Sequence, residues 1–167
     1  MKPTFVFASA HSRLNADIML IRLRRAGINI DRVSAIFSRC FAPNTFFFWL
    51  RRPRALPTTV HTDEPFFIAG PIQRLFGRND DIRDLSRKLS ELGVDHRAAD
   101  HLSDSLATGH AMLCVQAKNK DEAAIAWHIF QTSKAGNIAV TSAHSDTNVE
   151  TIRPSPLMGA WMQAAAA

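Results

Sequence analysis

The residues best suited to metal chemistry lie between positions 95 and 104. A predicted helix contains the candidate ligands His96, Asp100, His101 and Asp104. His96 and Asp100 share one face of this helix, as do Asp100 and Asp104, because each pair is four residues apart. Imidazole nitrogen and carboxylate oxygen bind divalent transition ions when three donors converge. Two interpretations stay open: a metal site that supports an enzyme, or a solvated polar face with a pH-sensitive histidine.

Candidates for nucleophilic catalysis are weaker. Ser142, His144 and Asp146 are near neighbours in a polar tail, whereas a catalytic triad needs rigid convergence beside an oxyanion hole. Cys114 lies in an apolar run that predicts a strand, and this setting is typical of a core residue rather than a reactive thiol. We therefore expect a non-catalytic protein.

Glycine and cysteine usage argues against cofactors. The chain has seven glycines and two cysteines, with no G-x-G-x-x-G, no G-x-x-x-x-G-K and no C-x-x-C. Phosphate cradles need several glycines in one loop, and a disulfide framework or an all-cysteine metal site needs more cysteines. We therefore expect no cofactor. Four of the glycines instead follow predicted helices, and we predict that these helices end at Gly27, Gly93, Gly109 and Gly136.

The segment around residue 46 combines aromatic and arginine side chains. Such a segment can insert at an anionic membrane surface, stack on nucleic-acid bases or pack on a second subunit; alternatively, it is a strand that covers its own core. Self-association is the favoured functional interpretation, because large apolar side chains are costly to leave in water. The predicted interaction surface comprises Phe46, Phe47, Phe48, Trp49, Arg51, Arg52, Arg54, Phe66 and Phe67.

Charge is divided unevenly along the 167 residues. Residues 1–60 carry ten Lys or Arg against two acids, while residues 61–167 carry ten against thirteen. The basic half predicts weak, salt-sensitive attraction to an anionic membrane or nucleic acid. Specific nucleic-acid recognition is not expected, because no zinc-finger, RNP-like or helix-turn-helix pattern is present. The start of the chain has no secretory signal pattern, and a cytoplasmic location is expected.

Periodicity and capping residues predict eight elements. In the first helix, capped by Ser12 or Asn15, we expect Leu14, Ile18 and Ile21 to form the buried stripe, widened by Leu20 and Leu23. The predicted strands are 4–9, 32–37, 110–117 and 137–141, and the predicted helices start near 12, 79, 97 and 120.

These elements form two β-α-β units, which predict an α+β sandwich of the ferredoxin-like kind. We expect a four-stranded sheet with helices on one face, and an uncovered second face that a partner copy or an arm would cover. Residues 1–141 form the predicted domain, residues 40–79 an inserted arm rich in Phe, Pro and Arg, and residues 142–167 a C-terminal tail.

Three further motifs follow one another along the chain: Leu89-Ser90-Glu91-Leu92-Gly93-Val94, the strand that follows Gly109, and Asn119-Lys120-Asp121-Glu122 at the next helix start. This order of elements and motifs resembles the general-stress, heat-induced protein family of bacteria. The resemblance covers roughly residues 4–38 and 80–141. The central segment departs from the family's glycine-rich hairpin, because it holds Gly70 and Gly77 alone. The resemblance implies a small stress-associated protein and supplies no functional residue.

Together these observations predict a non-catalytic, cytoplasmic homo-oligomer with a stress-related or regulatory role, which associates through its sheet face or its arm. One alternative is a regulatory module that binds a small ligand between subunits. The other is a metal-dependent enzyme that uses His96 and His101 with the neighbouring aspartates.

Overall fold

The computed structural model describes residues 3–38, 41, 54–56 and 65–141. Within these residues the fold is α+β, with strands and helices arranged around one sheet. The strands are β1 (Thr4–Ala10), β2 (Val33–Ser38), β3 (Arg54–Leu56), β4 (Phe66–Ala69), β5 (Ala111–Ala117) and β6 (Gly136–Val140), and the α-helices are α1 (Arg13–Arg25), α2 (Leu85–Glu91), α3 (His96–Ala107) and α4 (Lys120–Thr132). Short 3-10 turns cover Ile30–Arg32, Pro71–Leu75 and Ile82–Asp84.

The described strands form a six-stranded sheet in the order β3-β4-β2-β5-β1-β6. Each neighbouring pair is antiparallel. The long central pair, β1 with β5, runs in register from Thr4 opposite Ala117 to Ala10 opposite Ala111. Both strands are almost continuously buried, which is the pattern of strands covered on both faces.

Helices cover both faces of this sheet. On the first, the α1–α4 face, helices α1 and α4 pack in one core with Val6 and Leu113. On the second, the α2–α3 face, helices α2 and α3 and the turn Pro71–Leu75 pack with Phe7 and Met112. Successive strand residues point to opposite faces, so alternate positions of β1 and β5 contribute to the two cores.

This arrangement differs from the expected four-stranded sheet with helices on one face. Two short strands, β3 and β4, extend the sheet beyond β2. The second face, for which a partner copy or the arm was the expected cover, is covered by α2 and α3 together with the arm residues Ile72 and Phe76. The physical reason lies in the central strands, whose apolar residues at both alternating positions require cover on both sides. Part of the predicted arm therefore belongs to the domain, where Ile68, Ile72 and Phe76 are buried.

The predicted helix ends are confirmed at three glycines. Gly27, Gly93 and Gly109 have positive φ values of 81°, 101° and 90°. Gly136 was wrongly predicted as a helix end. Lys134 takes the left-handed conformation after α4 with φ 56°, while Gly136 begins β6, where a Cβ atom would lie 2.6 Å from the Ser9 hydroxyl.

The first helix begins as predicted, with the Ser12 hydroxyl accepting from the Asn15 amide at 3.0 Å. Its buried face is different from the predicted one. Leu20 and Leu23 are buried, as expected, together with Asn15, Ala16 and Met19, whereas Leu14 and Ile21 are exposed.

None of the helices in the described part of the chain combines the length and the apolar composition that a membrane span requires.

Candidate functional site

The predicted histidine–aspartate cluster lies on α3. Asp95 caps this helix, its carboxylate accepting from the amides of Arg97 at 3.1 Å and Ala98 at 3.3 Å. The structure brings His96 and Asp100 together, with 3.6 Å between Nε2 and Oδ2. Both side chains are exposed, so we assign this surface contact little stabilising effect.

Two serines of α2, not singled out in the sequence, complete this surface. The Ser86 hydroxyl donates to Asp100 Oδ1, and the Ser90 hydroxyl lies 3.5 Å from His96 Nδ1. The combination has the residue types of a catalytic triad, yet the His96 side chain is 79% exposed and the contacts to its ring are long for hydrogen bonds. The arrangement links α2 to α3 and lacks the geometry of a nucleophile activated by a base.

The other two predicted ligands do not join His96 and Asp100. His101 and Asp104 are exposed, and the His101 carbonyl accepts from the Ser105 hydroxyl at 2.8 Å and the Asn137 side chain at 3.3 Å. Over residues 3–38, 41, 54–56 and 65–141, no group of three His, Cys, Asp or Glu is placed to hold a metal ion. The cluster therefore fits the polar-face interpretation better than the metal site.

The prediction that Cys114 is a core residue is confirmed. Its side chain is buried on the α2–α3 face, and β5 places it opposite Phe7 and Ser34 on the neighbouring strands. Burial raises the pKa of the Cys114 thiol well above its ordinary value. A protonated, inaccessible thiol is a poor nucleophile, so this cysteine has a packing role.

The predicted interaction surface is described only in part. Phe46, Phe47, Phe48, Trp49, Arg51 and Arg52 lie outside the described residues, as do the polar tail residues Ser142, His144 and Asp146. Arg54 is the first residue of β3.

Phe66 and Phe67 lie on β4, beside the short strand β3 at one end of the sheet. They are half-buried, while Ile68 and Ala69 of the same strand are fully buried. Phe66 packs on the α2–α3 face and Phe67 on the α1–α4 face, where its ring stacks on Phe37 with 6.0 Å between centroids. At this edge of the sheet, both faces are therefore less covered than at the centre of the sheet.

A lysine of α2 holds the loop before that helix. The Lys88 ammonium lies 2.8 Å from the Asp80 carboxylate, donates to the Leu75 carbonyl at 2.9 Å, and lies 5.2 Å from the Phe76 ring centroid. The contact with Lys88, and then the hydrogen bond from the Gly77 amide, lowers the pKa of the Asp80 carboxyl. These three contacts join the loop to α2, and we assign Lys88 a structural role.

Sequence reasoning missed the outward side of α1. Leu14 and Ile21 are 69% and 41% exposed, and they are the large hydrophobic residues that stand out as exposed in the described chain. The other side of α1 is fixed to α4, since Asn15 Nδ2 donates to the Ser133 carbonyl at 2.7 Å and Arg22 donates to the Thr132 carbonyl at 3.2 Å. The helical spacing of Leu14, Ile18 and Ile21 was the available signal, but it was interpreted as a core pattern.

Comparison with known proteins gives no further assignment. No protein-family model, curated protein or solved structure matches this chain.

Proposed function

We propose that this chain is a non-catalytic protein that acts through self-association, with a second copy covering the β3–β4 end of the sheet. The observation that carries this proposal is the half-burial of Phe66 and Phe67 on opposite faces of β4. Large aromatic side chains that a domain leaves partly uncovered are typical of contact surfaces. Residues 46–54 lead into β3 and end at its first residue, Arg54, and they supply the other aromatic and arginine side chains of the proposed surface.

The described chemistry favours binding over catalysis. Cys114 is buried with a raised pKa, and the exposed pair His96 and Asp100 has no third metal ligand within the described ranges. A metal-dependent activity is therefore the weaker hypothesis. Sheet-face association is also disfavoured, because α2 and α3 cover the second face of the described sheet; the sheet end and residues 46–54 remain as the proposed contact.

We further propose a ferredoxin-like core for this domain. The strands β6-β1-β5-β2 lie in the order fourth-first-third-second of a β-α-β-β-α-β unit, with α1 and α4 as its two helices. In this proposal β3, β4, α2 and α3 are additions to that core. The stress-related or regulatory role is proposed on the sequence resemblance alone.

Size-exclusion chromatography with light scattering tests the proposed self-association. We expect a homodimer or larger assembly at tens of micromolar protein, and a monomer for the double variant Phe47→Asp plus Trp49→Asp. Asn79→Asp plus Gln131→Asp is the matched control, because it adds the same charge at two exposed positions and should leave assembly unchanged. A strictly monomeric wild type, or an aspartate variant at positions 47 and 49 that assembles normally, contradicts the proposal.

A further inference from the structure

The outer face of α1 is apolar at positions where a surface helix is ordinarily polar. We define this outer face by Leu14, Ile18, Ile21 and Arg25, whose spacings of four, three and four residues place them in one row along the helix. Leu14 and Ile21 are 69% and 41% exposed, and Ile18 is half-buried. Two turns separate Leu14 from Ile21, about 10 Å along the helix axis, so both side chains can touch one flat surface.

The charge of α1 is positive. The helix holds four arginines and one acid, Asp17. Arg22 is directed to α4, where its guanidinium donates to the Ser133 hydroxyl at 3.1 Å, while Arg13, Arg24 and Arg25 are exposed. Burial raises the pKa of the Asp17 carboxyl, so the single acid of the helix is easier to protonate than a fully hydrated aspartate. An anionic partner therefore complements the charge of this helix.

The size of the outer face argues against a second copy as that partner. A stable protein–protein interface buries about 800 Å² on each side, far more than two exposed aliphatic side chains provide, and a symmetric contact would also bring two positive helices together. A lipid surface has no such requirement, because it binds a few inserted apolar side chains and several basic ones without a complementary shape.

We propose that the outer face of α1 docks onto an anionic lipid bilayer surface. Leu14 and Ile21 insert among the headgroups, and Arg24 and Arg25 contact lipid phosphates. This inference goes beyond the proposed self-association and depends on a different surface.

Cosedimentation of the full chain with phosphatidylcholine vesicles, with and without phosphatidylglycerol, tests the proposal. We expect binding to the anionic vesicles, weakening with salt, and little binding to the neutral ones. Leu14→Gln plus Ile21→Gln should lower the partition coefficient about tenfold, because it removes the inserted groups. Arg24→Gln plus Arg25→Gln should lower it about thirtyfold.

The matched control is Arg78→Gln plus Arg97→Gln, which removes the same charge from two exposed positions. Arg78 lies in the loop before α2 and Arg97 on α3, and both helices pack on the sheet face opposite α1. We expect the control to bind anionic vesicles within about twofold of wild type, since each basic residue acts only near the lipid surface. Circular dichroism checks that each variant keeps its helices. Wild type that fails to bind, α1 variants that bind normally, or a control that loses as much as the α1 arginine variant would each overturn the proposal.

Two further measurements separate this inference from the proposed self-association. The variant Phe47→Asp plus Trp49→Asp should retain binding to anionic vesicles even when it is monomeric. The α1 variants should retain assembly in light scattering. Loss of assembly in the α1 variants would instead identify the outer face of α1 as a contact between copies, and would overturn lipid docking.

Discussion

Helices α1 and α2 lie on opposite faces of one sheet, and they differ in how their sequences relate to burial. In α2, the apolar positions are Leu85 and Leu89, and both are buried. In α1, seven of 13 residues are apolar, and the row Leu14, Ile18 and Ile21 has regular helical spacing. Nevertheless, a different row enters the core.

This difference shows that periodicity is decisive only when one helix face is clearly more apolar than the others. Polar residues surround the two leucines of α2, so it has one possible buried face. In α1 several overlapping faces are apolar, and the contacts of Asn15 and Arg22 with the end of α4 accompany the orientation that buries Met19, Leu20 and Leu23. The apolar row that does not enter the core, with Leu14 and Ile21, is then exposed to solvent.

The largest expected effect concerns the two adjacent residues Leu20 and Ile21. Leu20 is 2% exposed and Ile21 41%, so Leu20→Ala should lower the free energy of unfolding by about 2–5 kcal/mol and Ile21→Ala by less than about 1 kcal/mol. Urea denaturation measures both. Leu89→Ala in α2 provides the benchmark, with a loss like that of Leu20→Ala. Equal losses at positions 20 and 21 would contradict the observed orientation of α1.

A smaller effect is expected from the polar contacts that fix each helix. Lys88→Met should lower the free energy of unfolding by about 1–3 kcal/mol, because the Leu75 carbonyl and the Asp80 carboxylate lose a charged donor. Arg22→Met should lower it by about 0.5–1.5 kcal/mol, because the α4 end loses a more exposed donor. The same urea experiment ranks the two variants. If Arg22→Met lowered the free energy of unfolding more than Lys88→Met, it would contradict our assignment of the Lys88 contacts as the more buried ones.

The smallest effects come from two carboxyl groups with opposite pKa shifts. The pKa of Asp80 is lowered, chiefly by Lys88, so its contribution to stability is present above its unfolded pKa and is lost as the pH falls through the folded pKa. The pKa of Asp17 is raised by burial, so its charge opposes folding at neutral pH, and that cost disappears in acid.

Asp80→Asn should therefore destabilise the protein at pH 7, and Asp17→Asn should slightly stabilise it, with both differences vanishing well below about pH 4. Thermal unfolding across this pH range measures each difference against wild type. The two variants serve as controls for each other, since each removes one carboxylate. Differences of the same sign at pH 7 would contradict the assigned pKa shifts.

Much of the local structure could be predicted from the sequence. Ser12, Asp95 and Asn119 accept from the first amides of their helices, and such caps are recognisable because the acceptor side chain sits next to the amides it serves. The candidate site was less predictable. His96 and Asp100 are four residues apart on one helix, and their contact follows from that spacing, but Ser86 and Ser90 reach them only because α2 packs against α3.

By itself, the sequence determined the four described α-helices and four of the six described strands, with β3 and β4 missed. Helix caps, left-handed glycines and strand alternation depend on near neighbours in the chain and are therefore readable without the fold. Only the tertiary structure decided that α2 and α3 cover the second face of the sheet, that β4 joins β2, and that Leu14 and Ile21 face outward. The physical reason is that a side chain is buried only when a second surface packs against it. An apolar row on a helix shows that this row can be buried, but the packing of the other elements selects which of several apolar rows is buried.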